Sequence, residues 1–322
     1  MRIDYEPSFV EQTIFYAGRQ DPKLEAELHR ATDRLYGLTD AAEREAGFQE
    51  VYGTFFRRLG YDGVVTGLLA ERPVIEARVQ HCIVRYAVSA KKEAAELFIR
   101  DTGDSAQAET RSLFIHAYHE SLLNPEPFER RMRREFLHVA DMLDDGFAYR
   151  KDSLLGNQPR QNLIRDRYRV LWDIYVEGRL SREGHADDKM MLLLSRQFEK
   201  VFAKYSTCPF PPSFERVHRA DKVTHDQLLE WATSPELLFQ EDGATPCGTG
   251  PAPGEPCPAC KFSTFDWFAA EEHTPALIAA VQEAFPKWQP QQGICRQCAD
   301  IYAGTGRFSD RQPATDLTVV DS

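Results

Sequence analysis

Two short segments carry cysteines at a spacing that can do chemistry: "CPAC" (Cys257, Cys260) and "CRQC" (Cys295, Cys298), with 34 residues between the pairs. A C-x-x-C turn lets two thiolates reach one ion from a tight loop. Two such turns complete a tetrahedral S₄ shell, the donor set that suits Zn²⁺. Four thiolates leave no open position for water, so a metal held this way is structural, and one zinc is expected. The competing reading is unrelated core thiols or a redox pair, which the paired spacing disfavours. Cys247 lies ten residues before Cys257 and fits no tight turn; it is a spare thiol or an alternative ligand. Cys82 and Cys208 read as buried apolar residues.

The segment between the pairs has room for a β-turn around "STFDWF" and for a helix over "PALIAAVQEAF", started by Thr274 and Pro275. The second pair runs into "ADIYAG", a short helical pattern. This arrangement resembles a zinc-ribbon or treble-clef module over about the last 70 residues. Such a module is too small to hold a large core, so zinc would supply much of its folding energy. Phe262, Phe265, Trp267 and Phe268 flank the first pair and are expected to form its mini-core, a protein-contacting patch being the alternative.

A second set of residues is "REFLH", Arg134 to His138. In the zinc-protease helix H-E-x-x-H, two histidines one turn apart face one metal and the glutamate takes a proton from the bound water. Glu135 and His138 stand at the matching positions, with Arg134 in place of the first histidine. A β-like segment, "RSLFIHAY", precedes this helix, and a helix with carboxylates on one side, "LWDIYVEGRL", follows it. That order resembles a zincin-like (gluzincin-type) metallopeptidase domain over roughly residues 75 to 200, with "RSLFIHAY" as the edge strand. The resemblance implies that Glu135 is the general base, that His138 is a metal ligand and that Glu177, or Asp173 one turn earlier, is the third ligand. If active, such a domain would hydrolyse peptides.

Arginine stays charged and forks onto carboxylates. One reading therefore puts the Arg134 guanidinium in the metal's place, paired with Glu177 or Asp173, and makes the domain a pseudoenzyme. Another supplies the missing imidazole from His116 or His119, which strand alternation would turn to opposite faces. The plainest makes "REFLH" an amphipathic helix, with Phe136, Leu137, Met142 and Leu143 in a core and Arg131, Arg133 and Arg134 on a solvated face. A second zinc is expected only if this helix binds metal. E-x-x-H is also half of a carboxylate-bridged di-iron site, which needs a second such pair and two more glutamates on a bundle.

The elements that must position these residues are mostly helical. Helices are read over "DPKLEAELHRATDRLYGL", started by Asp21 and Pro22, and over "TDAAEREAGFQEVYGTFFRRLGYDG", capped by Thr39 and stopped near Gly60. "RVQHCIVRYA" is ambiguous; "AELFIR" and "RSLFIHAY" have strand character. Leu163, Tyr168, Leu171, Trp172, Tyr175 and Val176 mark a helix with a broad apolar face, "DDKMMLLLSRQFEKVFAKY" is another, and Thr224 with Gln227 opens a further one as a capping-box candidate. The expected fold is mainly α with a small β component (α+β, zincin-like), followed by a small zinc-ribbon or treble-clef module. The expected domains are 1–205 (core about 75–200), a helical connector 206–246, the Cys₄ module 247–304 and a mobile tail 305–322.

A net charge of −11 argues against nucleic-acid and membrane-surface binding. No apolar run reaches the roughly 18 residues of a membrane span, and "MRIDYEPSF" lacks a secretory pattern, so the cytoplasm is expected. There is no phosphate-binding glycine loop and no G-x-S-x-G elbow. Two functional readings follow: a metallopeptidase-like hydrolase relative, inactive or altered, and a non-enzymatic interaction scaffold that binds a protein or peptide partner.

Overall fold

The computed structural model describes residues 1–100, 110–150, 159–203, 205, 210–240, 251, 254–268 and 273–309. The chain separates into two compact units: Met1–Tyr149 with Arg182–His185, and Arg150–Ser181 with Ala186–Ser322. The helices between residues 159 and 201 fall in the second of these units, apart from Arg182–His185. The segment 101–109, most of the Gly/Pro-rich linker, Cys208, Cys247 and residues 310–322 lie outside the described residues.

The first unit runs β1 (Arg2–Tyr5), α1 (Pro7–Gln20), α2 (Pro22–Thr32), α3 (Ala41–Arg58), α4 (Tyr61–Ala70), α5 (Pro73–Arg78), β2 (His81–Tyr86), β3 (Ala94–Arg100), β4 (Thr110–Ala117) and α6 (Glu126–Leu143). Asp21 caps α2 by accepting from the Lys23 N–H, as expected. Asp40, not Thr39, caps α3 by accepting from the Glu43 N–H; its carboxylate also complements the helix dipole. Gly60 ends that turn at φ 76.

The sheet has the order β1-β2-β4-β3. β1, β2 and β4 are parallel, and β3 is antiparallel to β4. Register aligns Ile3, Cys82, Leu113 and Leu97 in one row and Tyr5, Val84, Ile115 and Ala95 in the next. These rows face a core shared with Phe9 and Ile14 of α1, Phe56 of α3 and Leu69 of α4. From α6 come Phe128, Met132, Phe136, Val139, Ala140 and Leu143, a helical-period stripe. The ambiguous "RVQHCIVRYA" is therefore a strand, and β1 is one that its four residues were too short to announce. Burial pushes the Cys82 thiol up to about 12, as for an inert core residue.

β4 is not the edge strand that the metallopeptidase resemblance called for. β4 is paired on both sides, with β2 and with β3, and its Leu113, Ile115 and Ala117 are fully buried. β3, with Phe98 and Ile99 half exposed, takes the edge instead. The arginines of α6 also depart from a solvated face. Arg131 pairs with Glu93, whose side chain is 1% exposed and also accepts from the Tyr118 N–H. Arg133 forks onto Glu71 at 2.9–3.1 Å.

The second unit contains α7 (Pro159–Arg182, its last residue belonging to the first unit), α8 (Asp188–Val201), α9 (Pro212–Arg219), α10 (His225–Thr233), α11 (Pro235–Phe239), α12 (Pro275–Ala284) and α13 (Arg296–Ser309). The six apolar positions expected on α7 are all buried. Gly178 lets α9 approach: a Cβ there would sit 1.7 Å from the His218 carbonyl oxygen. Phe198, Phe202, Phe214 and Phe239 are fully buried and pack with ring centroids 4.6–5.8 Å apart. Thr224 caps α10 by accepting from the Gln227 N–H at 3.2 Å. No helix among the described residues is long and apolar enough to cross a membrane.

Candidate metal centre

Each cysteine pair is set up by a short piece of backbone. Around the first, the Cys257 N–H donates to Phe262 O (2.9 Å) and the Thr264 N–H to Glu255 O (3.1 Å), closing a narrow hairpin. Its tip is C-P-A-C-K, and Lys261 completes the turn in the left-handed region at φ 65. The chain then runs past Trp267, which bridges to Cys295. The second pair follows Gly293, at φ 65 and ψ 173, a region open only to glycine. A Cβ on Gly293 would also meet Pro251 at 2.6 Å. Cys295 immediately precedes α13 and Cys298 lies in its first turn, where helix N-terminal N–H groups favour thiolate.

The four Sγ atoms of Cys257, Cys260, Cys295 and Cys298 lie within 4.8 Å of one another and could hold a metal ion. Cys260 Sγ and Cys295 Sγ are 3.9 Å apart. A tetrahedral shell with Zn–S bonds of about 2.3 Å places sulfurs about 3.8 Å apart, so the spacing fits. The four are free cysteines rather than disulfides. Backbone donors already point at sulfur: the Cys295 N–H at Cys257 Sγ and the Cys298 N–H at Cys295 Sγ, both at 3.4 Å. Burial would raise the Cys257 thiol, but N–H groups of Cys295, Cys260 and Ala259 outweigh it and hold the thiol below its ordinary range. Burial pushes Cys295 and Cys298 up.

Around the thiols lies a small core of Leu277, Val281, Trp288, Ile294 and Ala299. Thr274 caps α12 from the expected position by accepting from the Leu277 N–H (3.2 Å). The Trp288 indole N–H donates to Gly293 O at 2.9 Å, tying this core to the second pair. The aromatic residues divide. Trp267 and Phe268 pack against the core, whereas Phe262 is 77% and Phe265 49% exposed.

The other sequence candidates are not drawn into this cluster. Arg134, Glu135 and His138 are half-buried on α6, off its core stripe, in the first unit; Asp173 and Glu177 are on α7, in the second. His116 is on the open face of β4, its Nε2 4.0 Å from a Glu96 oxygen. His119 is not on the strand at all. It opens a 3₁₀ turn, is stacked on Tyr86 and edged by Tyr16 and Tyr118, and burial lowers its pKa. A second E-x-x-H, Glu215 to His218, does occur, on α9. Glu215 pairs there with Arg219 at 2.7 Å. Among the described residues, only the four cysteines form a group of three or more His, Cys, Asp or Glu side chains close enough to share an ion.

No family model, curated protein or solved structure matches the chain.

Proposed function

We propose that the chain is a zinc-binding, non-enzymatic interaction protein whose C-terminal module is a treble-clef-like fold held by one structural Zn²⁺ on Cys257, Cys260, Cys295 and Cys298. The observation that carries this reading is the convergence of four thiols to within 4.8 Å from two separate turns. Bound there, zinc supplies a cross-link between the hairpin and the first turn of α13, with no coordination site left for substrate. The hairpin followed by a helix that brings the second pair supports the treble-clef form over a ribbon. Phe262, exposed beside the knuckle tip, supports a role in contacting a partner.

Elemental analysis of the purified full chain tests this directly. One zinc per chain is expected, lost in the Cys257→Ser/Cys295→Ser double variant. A metal-free chain that keeps its fold overturns the reading.

A further inference from the structure

Two cavities of the first unit, about 390 Å³ and 600 Å³, adjoin: Pro7, Gln49 and Tyr52 belong to the walls of both, and together they make a grooved surface. The smaller is lined by Ile3, Asp4 and Tyr5, along β1. Among the described residues β1 is an edge strand, with β2 as its only neighbour. The N–H groups of Arg2 and Glu6 donate to Gln80 O (3.0 Å) and Val84 O (2.9 Å), on the β2 side. Strand alternation therefore turns the N–H and C=O of Ile3 and Tyr5 the other way, and their N–H groups find no acceptor among the described residues. A free strand edge flanked by a groove is what an extended peptide adds to.

The larger cavity sets the charge of the occupant. Glu6, Glu11 and Glu45 line it, with no lysine or arginine among its walls. Its aromatic wall is a ladder: Tyr36 meets Phe48 edge-on at 5.3 Å, and Phe48 stacks on Tyr52 at 6.0 Å. Tyr36 is 67% exposed, so the ladder is open to solvent. Burial raises the Tyr52 phenol most, and Glu11, Tyr36 and Glu45 add to it. Carboxylates around aromatic faces attract an ammonium or guanidinium. The smaller cavity adds Asp4 and Asp62 against Arg57, with Asp4 already paired to Arg2 at 2.9 Å.

We propose that this groove takes an extended, lysine- or arginine-bearing segment of a partner protein, which pairs with the free edge of β1 and lays a cationic side chain on the Tyr36–Phe48–Tyr52 ladder among Glu6, Glu11 and Glu45. The strand edge selects a peptide over a free polyamine, because only a peptide has a backbone to pair with Ile3 and Tyr5. The inference concerns the first unit and does not depend on the zinc module.

The test titrates the full chain with a short fluorescein-labelled peptide alternating lysine and valine, followed by anisotropy and by amide hydrogen exchange. Saturable binding is expected, with new protection at the Ile3 and Tyr5 amides. Glu11→Lys/Glu45→Lys, two surface changes, is expected to weaken it about tenfold or more with the circular dichroism unchanged. Absence of saturable binding, equal affinity for a glutamate–valine peptide, or full affinity in the double variant overturns the proposal. Spermidine that displaces the peptide from a protein whose Ile3 and Tyr5 amides never gained protection assigns the groove to free polyamines and overturns it equally.

Discussion

The core of the first unit and the cysteine module solve the same problem with unequal means. The first gathers two full rows of sheet side chains and the stripes of several helices around fully buried residues such as Phe9, Leu113, Phe128 and Phe136. The module gathers Leu277, Val281, Trp288, Ile294, Ala299 and three buried cysteines. A single core in a segment as short as the one from Gly254 into α13 supplies little net stability by itself, whereas the first unit's core is several times larger. A region with too little apolar surface needs a cross-link, and the four sulfurs are placed to provide one. The first unit's polar burial, by contrast, is local: Glu93 with Arg131 inside an apolar framework.

The contrast can be broken most forcefully at the thiols. On the proposed zinc reading, Cys257→Ser/Cys295→Ser removes the binding energy of a structural zinc, about 10–16 kcal/mol. The module is expected to lose its exchange protection while β2, β4 and α6 keep theirs, as amide exchange followed by mass spectrometry would show. Gly293→Ala acts on the same module through its backbone. It forces a side chain into a glycine-only backbone region against Pro251, at a cost of about 1–3 kcal/mol from backbone strain, with the contact in addition. Weakened zinc affinity, read by competition with a chromophoric chelator, is the expected outcome; unchanged affinity would mean that the turn before Cys295 does not set the site.

The third variant reverses the logic. Phe136→Ala empties a position 1% exposed in the first core and is expected to cost about 3–5 kcal/mol in denaturant unfolding with zinc content unchanged. Smaller than Phe136→Ala in the same unit is Arg131→Ala, which leaves the Glu93 carboxylate buried. Removing one partner of a buried pair costs about 3–5 kcal/mol, and with Arg131 itself 35% exposed a loss of about 2–3 kcal/mol is expected. An unfolding midpoint that matches the unaltered protein would show that water compensates Glu93.

What was legible in the sequence follows from how local each signal is. The C-x-x-C turns, Thr274 before Pro275 and the caps at Asp21 and Thr224 act over a few residues, and each is found where its local chemistry puts it. The cap of α3 was missed by one position because Thr39 and Asp40 are both good acceptors and only the backbone geometry chooses between them. Sheet order is not local. That β4 is interior and β3 the edge depends on which strands find partners on both sides, and "AELFIR" and "RSLFIHAY" read alike in isolation. The second unit's claim on α7 is likewise tertiary: Gly178 looks like a weak point in a helix until the His218 carbonyl is seen against it. Arg131 reads as a surface residue because Glu93, 38 positions away, gives no sign in sequence that it will be buried.

The central claim is that metal, not apolar burial, holds the C-terminal module together. Amide hydrogen exchange of the intact, zinc-loaded chain before and after chelation tests it most directly. The account predicts that protection between Cys257 and Tyr302 collapses while that of β4 and α6 is unchanged. Protection that survives in the module after the metal is gone would contradict it.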